Sequence, residues 1–149
     1  MSKASDIAAA IKARLQTIKV ASGFETDIGL RVYAGRRRID EGQLPCTVLI
    51  ERDDDPVDQN RNCDVKLTQK YIAEGHCVCD PDNPNDAGHD MIADLKKAIF
   101  TGKFTAPGTA TILFVKYRGR NIAPREDGLK IVSASVEFSV DYVEDLSNP

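Results

Sequence analysis

Residues 130–142 alternate almost without error, with Val132, Ala134, Val136, Phe138, Val140 and Tyr142 at one parity and Ser133, Ser135, Glu137, Ser139 and Asp141 at the other. Successive side chains of a strand point to opposite faces, so this pattern specifies a strand with one buried face. At about thirteen residues the run is roughly twice the usual strand length. Such a strand is expected to outrun the core of a small domain and to offer its far end, Tyr142 and Leu146, to a neighbour. Residues 146–149 are expected to form a flexible tail.

The remaining elements follow from the same kind of pattern. Ile7, Ile11, Leu15 and Ile18 form one stripe of an amphipathic helix starting near Ser5, capped by Ser2 or Ser5 and ended by Ser22 and Gly23. Short strands are predicted over residues 29–33 and 44–51, the second apolar on both faces and therefore central. Residues 51–62 form a polar, acidic connection with Pro56 as its breaker. A third strand spans residues 64–79. The Pro81, Asn83 and Pro84 turn cluster precedes a helix capped by Asn85 or Asp86, whose stripe is Met91, Ile92, Leu95, Ala98 and Ile99 and whose end is Gly102. After Pro107 and Gly108 come a fourth strand (109–117), a charged loop (119–127) with an Asp127-Gly128 turn, and a fifth strand (129–143). The order α-β-β-β-α-β-β lacks the strand-helix-strand repetition of a parallel sheet. It predicts a single α+β domain over residues 1–149, with two helices on a mainly antiparallel sheet of about five strands.

Composition narrows function by exclusion. A net charge of −3 does not suit a dedicated nucleic-acid binder, which needs a basic surface. No apolar run approaches the roughly twenty residues that span a bilayer. The N-terminal residues lack an apolar secretion signal, so a cytosolic chain with reduced thiols is expected. Cys46 lies in an apolar run and reads as a small core residue.

Three clusters could carry chemistry. His76, Cys77, Cys79 and His89 are potential soft ligands, but Cys77 and Cys79 are two apart on a strand rather than in a zinc knuckle, and no metal is assigned to them. Glu51, Asp53, Asp54, Asp55 and Asp58 offer oxygen ligands without the glycine and spaced acids of a calcium loop, and read as a solvated loop. Arg36, Arg37 and Arg38 could grip phosphate or meet an acidic surface on another subunit. No phosphate loop, nucleophile elbow or Ser-His-Asp order is present, and no catalytic residue, metal or cofactor is predicted.

The N-terminal helix with Ile7, Ile11 and Leu15, then Gly29-Leu30-Arg31-Val32-Tyr33 and Leu44-Pro45-Cys46-Thr47-Val48-Leu49-Ile50, resembles the opening of tail terminator and minor tail proteins of long-tailed bacteriophages, the lambda-type terminators and tail completion proteins. The strand before the Pro-Asn turn, the helix from Met91 to Ile99 and the last strand continue the likeness across nearly the whole chain. The resemblance implies a structural virion protein, not an enzyme. It would form a homo-oligomeric ring, generally a hexamer, on the head-proximal end of the tail tube. There it would stop tube polymerisation and present a surface to the head-tail connector. Its partners would be further copies of itself, the tube protein and the connector, with DNA passing through the channel without specific binding and no membrane involved. Its place would be the virion tail, assembled in the host bacterial cytoplasm. Arg36, Arg37, Arg38, Asp53, Asp54, Asp55, Tyr142 and Leu146 are the candidate subunit or tube contacts.

Two other classes compete with this reading. One is a small metal-dependent hydrolase using the carboxylates of Glu51, Asp53, Asp54, Asp55 and Asp58, with or without His76. The other is a monomeric small-molecule binder with a pocket between helices and sheet.

Overall fold

The computed structural model describes residues 2–35, 38–59, 63–102, 104, 112–125 and 128–149. Its element order is α1 (Lys3–Leu15), β1 (Val32–Ala34), β2 (Cys46–Gln59), β3 (Asp64–Val78), α2 (Pro84–Phe100), β4 (Ile112–Ile122) and β5 (Ile131–Asp145), with short 3-10 turns at Val20–Ser22, Ile28–Leu30 and Glu41–Gln43. The five strands make one sheet in the order β1-β2-β3-β5-β4. Only β1 and β2 are parallel; all other pairs are antiparallel. The α+β class and the order of elements agree with the sequence reading.

Ser2 starts α1 by accepting the Ser5 N–H on its side chain at 3.2 Å, which satisfies one of the helix's orphan donors. The helix ends at Leu15, earlier than its apolar stripe predicts. Ile18 stays fully buried, but it does so from a turn in which its N–H bonds Leu15 O. Gly29 explains the early end: a Cβ there would lie 2.4 Å from Leu15 O and 2.5 Å from Ile18 O, so only glycine lets this backbone pass against the helix terminus. Gly23, at φ 87°, then closes the 3-10 turn. In α2 the cap position falls on Asn83, not on Asn85 or Asp86. Pro84 takes the first helical position, where its missing N–H costs nothing.

Both helices lie on one face of the sheet. Ile7, Ile11 and Leu15 from α1 and Met91, Leu95 and Ile99 from α2 meet Tyr71 and Ala73 of β3 and Val136, Phe138 and Val140 of β5, all buried. Each large side chain buried there contributes about 1.5–3 kcal/mol. Phe138 is at the centre, stacked on Tyr71 at 5.4 Å and edge-on to Phe100 at 6.5 Å. Two polar devices hold the helix layer in place. Asp94, 2 % exposed, accepts the N–H groups of Glu25 and Thr26 and the Thr26 hydroxyl, at 3.0, 2.7 and 2.6 Å. Arg14 Nη1 donates to Ala98, Ile99 and Thr101 carbonyls at the C-terminal end of α2, where a cation is favoured by the helix dipole.

The strands correct three expectations. Residues 51–59 are not a connection; they extend β2 and pair with β3 as far as Gln59 opposite Val65. Backbone pairing ignores side-chain polarity, and a sheet edge tolerates Pro56 and the two register shifts that flank this stretch. The fourth strand likewise runs on through Gly119, which takes φ 142° beside a register shift, so residues 119–122 are strand and not loop. β1 is confined to Val32–Ala34 because residues 28–30 form the 3-10 turn. The expected Asp127 turn position, residues 109–111 of the predicted fourth strand and Pro107-Gly108 lie outside the described residues. Among the described residues no helix is long and apolar enough to cross a membrane.

Candidate assembly interface

The long alternating strand, β5, does not overhang: it pairs with β3 over its whole length. Tyr142, at its far end, is 2 % exposed, because Leu67 lies across from it in β3 and α1 covers that corner, with Lys3 Nζ donating to Val143 O. Tyr142 is therefore core and is withdrawn from the candidate contacts. Leu146 is half-exposed and its N–H donates to Cys63 O; the following residues turn back, with Asp145 accepting from Ser147 and Asn148. The strand that does outrun its cover is β2. Cys46, Thr47, Val48 and Leu49 are buried, whereas residues 51–59 are all exposed.

The reason is the length of β1. It pairs with β2 only from Thr47 to Leu49, and Gly35 N bonds Leu49 O as the last contact on that side. Beyond it, residues 50–58 have no strand partner on their outer side among the described residues. This open edge carries Glu51, Asp53, Asp54, Asp55 and Asp58 against a single cation, Arg52. Lys70 of β3 reaches under it to Asp53 and Asp55 at 3.1 and 2.8 Å. The ammonium holds the Asp53 carboxyl below the usual carboxylate range, and the two carboxylates raise Lys70 in turn. All three groups are largely solvated, so the triad orients side chains more than it stabilises the fold.

The opposite edge of the sheet is β4. Its outer side also has no partner strand among the described residues, and its charges are all positive: Lys116, Arg118 and Arg120. Phe114 and Tyr117 are 58 % and 45 % exposed on it. Arg118 Nε donates to Ser139 Oγ at 3.0 Å, and Lys96 lies over the Tyr117 ring. The free stretch of β2 overlaps in height with the first half of β4, whereas Arg120 to Ile122 are level with Leu49 to Thr47, the part of β2 that β1 covers. Ile112 lies across from Tyr142, Leu67 and Pro56 in turn, and Tyr117 across from Phe138, Tyr71 and Glu51. Sequence reasoning placed the acidic residues on a loop and missed the β4 cations altogether. A strand of Ile112 to Ile122 with basic residues on one edge leaves no signal distinguishable from a charged loop.

The other predicted sites disperse. Arg36 and Arg37 lie outside the described residues; Arg38 is exposed and sits 3.9 Å from Asp40. Among Glu51, Asp53, Asp54, Asp55 and Asp58 no three carboxylates converge as a cation site, and Lys70 neutralises two of them. His76 bonds Ser133 Oγ through Nδ1 at 2.7 Å, and its Nε2 stands 2.7 Å from a Glu74 oxygen, close enough for charge pairing but not aligned as a hydrogen bond. Burial pushes the Cys77 thiol up to about 11, Cys79 is buried, and His89 is exposed on α2. Among the described residues the one group with three ligand atoms within 4.8 Å of each other is Cys63, Asp64 and Asp145, which no sequence motif marks. Between helices and sheet two open clefts remain, one of about 310 Å³ at the end of α2 beside Ile112, Phe114 and Val115 of β4, and one of about 200 Å³ between Ala8, Ala9 and Lys12 of α1 and the edge of the sheet.

No family model matches the sequence, and no curated protein matches it. The fold does have a solved counterpart. A chain of the "virion of native gene transfer agent (GTA) particle" superposes with a TM-score of 0.62 at 10 % identity, over 91 % of this chain and 92 % of that one. At that identity the likeness shows a shared fold, extending over nearly the full length of both chains.

Proposed function

We propose that this chain is a structural, non-catalytic component of a phage-like virion. In this reading it closes the head-proximal end of the tail tube as a ring, ends tube polymerisation and presents the surface that the head joins. The observation that carries the reading is the end-to-end fold likeness to a chain of a gene transfer agent virion. Two features of this chain support assembly in particular. Both sheet edges are open among the described residues, and they carry charges of opposite sign over heights that overlap in part. Monomeric proteins shield such edges, whereas subunits use them.

The ring would contain copies of this chain, six by the resemblance drawn from sequence, and would meet the tube protein on one side and a head-tail connector on the other. DNA would pass through without base-specific contact. Arg38 and Leu146, both exposed, remain candidate contacts with the tube or a neighbour, together with Asp53, Asp54 and Asp55. The test is tube growth. Added to polymerising tube protein, the chain is expected to halt elongation and to leave a ring at one end of each tube. Unchanged tube length with bare ends would overturn the terminator role.

A further inference from the structure

We propose that copies of this chain join head to tail, the acidic outer edge of β2 in one copy pairing with the basic outer edge of β4 in the next. The proposal rests on the ring reading above and names the contact that would build it. Three observations converge on it.

The first is charge. Two β2 edges brought together would oppose Glu51, Asp53, Asp54, Asp55 and Asp58 to the same five carboxylates. Two β4 edges would oppose Lys116, Arg118 and Arg120 to themselves. Like charges across a contact disfavour both two-fold arrangements, and only the mixed pairing brings opposite charges together. A contact between different patches is heterologous, and repeated it makes a ring or a filament and never a closed two-fold dimer.

The second is polarity. β2 and β5 run one way through the sheet, β3 and β4 the other. A second copy set beside the first in the same orientation therefore brings its β2 antiparallel to β4, the pairing sheets favour. The free stretch of β2 is level with the first half of β4, Pro56 with Ile112 and Glu51 with Tyr117, while Arg120 to Ile122 are level with Leu49 to Thr47, where β1 already lies; the pairing is therefore confined to Ile112–Tyr117, and β4 leaves it at the Gly119 bulge.

The third is shape. Where β1 stops, a cleft of about 200 Å³ opens beside the β2 edge, lined by Ala8, Ala9, Lys12, Ala34, Leu49 and Glu51. Its alanines leave room for an aromatic ring, and Tyr117 of the adjoining copy stands at the height of Glu51. The pocket thus gives an apolar anchor to a contact otherwise made of backbone and charge.

The experiment is a mixing assay with two charge-reversed variants, read by sedimentation velocity. One carries Asp53→Lys and Asp54→Lys; the other carries Lys116→Glu and Arg118→Glu. All four positions are exposed, and circular dichroism melts check that each variant is folded. Each variant alone is expected to sediment as a monomer under conditions where the unaltered chain assembles. An equimolar mixture is expected to restore the assembly with the two variants alternating. Variants that assemble alone like the unaltered chain, or a mixture that stays monomeric, overturn this contact while leaving the ring intact. An unaltered chain that never assembles overturns the ring reading itself.

Zero-length carbodiimide coupling gives a second readout. Within one chain β4 and β2 are three strand spacings apart, about 14 Å, so a Lys116 link to the β2 carboxylates must come from another copy. The Lys70–Asp55 link is the internal control, with its groups 2.8 Å apart. Recovery of that link without any link to Lys116 in the assembled material overturns the contact.

Discussion

β3 and β5 pair from Asp64 opposite Asp145 to Val78 opposite Ile131 without one register shift, whereas β2 and β4, which flank them, each meet their neighbour with two. The inner pair is under the helices, and its apolar parity is buried from Val132 to Tyr142. The outer pair carries the bulges, the exposed aromatics and the fully exposed charges, whereas charged residues of the inner pair such as Lys66, Lys70, Glu137 and Asp141 are half-buried. Register is enforced where one face is buried, because a one-residue slip would turn every core side chain to solvent. Where no such penalty acts, bulges and charge accumulate, and the strand can answer to something outside the chain. The inner ladder therefore accounts for folding, and in the proposed ring the outer strands account for association.

Substitutions should separate the two roles. The largest effect is expected from Phe138→Ala, which empties the centre of the inner ladder: Phe138 is fully buried against Tyr71 and Phe100. Urea denaturation should record a loss of about 3–5 kcal/mol. A loss under 1 kcal/mol would mean that the ladder is not where stability resides.

Next comes Asp94→Ala. It removes the acceptor of three hydrogen bonds in a site 2 % exposed and strands the Glu25 and Thr26 N–H groups. A loss of about 2–3 kcal/mol is expected, with hydrogen exchange quickening first at Glu25 and Thr26. Unchanged exchange there would show that the loop is held by packing instead.

Alkaline pH probes the inner ladder without mutation. Burial raises Tyr71 and Tyr142 above the ordinary value of 10, Tyr142 to about 12. The unfolded chain ionises these phenols near pH 10 while the folded chain keeps them protonated. Their contribution is complete below pH 10 and is lost as pH rises from there through about 12. Denaturation midpoints measured across that interval should fall, and a double Tyr71→Phe, Tyr142→Phe chain should fall less.

The smallest effect on stability belongs to the outer edges. Lys116→Glu with Arg118→Glu should leave unfolding within about 1 kcal/mol of the unaltered chain, yet abolish self-association. A large drop in stability would place β4 in the folding unit and erase the distinction between inner and outer strands.

The sequence made the inner part of this comparison legible and obscured the outer part. Period-two alternation in β5 and period-3.6 stripes in both helices report burial directly, so Val132 to Tyr142, Ile7 to Leu15 and Met91 to Ile99 could be read as core. The distal half of β2 is held by backbone bonds to β3, and nothing in Asp53-Asp54-Asp55-Pro56 reports that. The same holds for β4 past Gly119. Which long strand would protrude was also beyond the sequence, since it depends on β1 stopping at Ala34 while α1 reaches across to Val143. The charged residues were visible as residues. That they lie on two opposite edges of one sheet, overlapping in height, became visible only through strand order and register.

In the proposed assembly two unlike edges of one sheet join copies of this chain into a closed ring. Electron microscopy of the purified protein, with and without tail tubes, tests that assembly most directly. Closed rings of uniform size are expected, free or seated at one end of each tube. Isolated monomers under both conditions, or two-fold dimers with no ring, would contradict it.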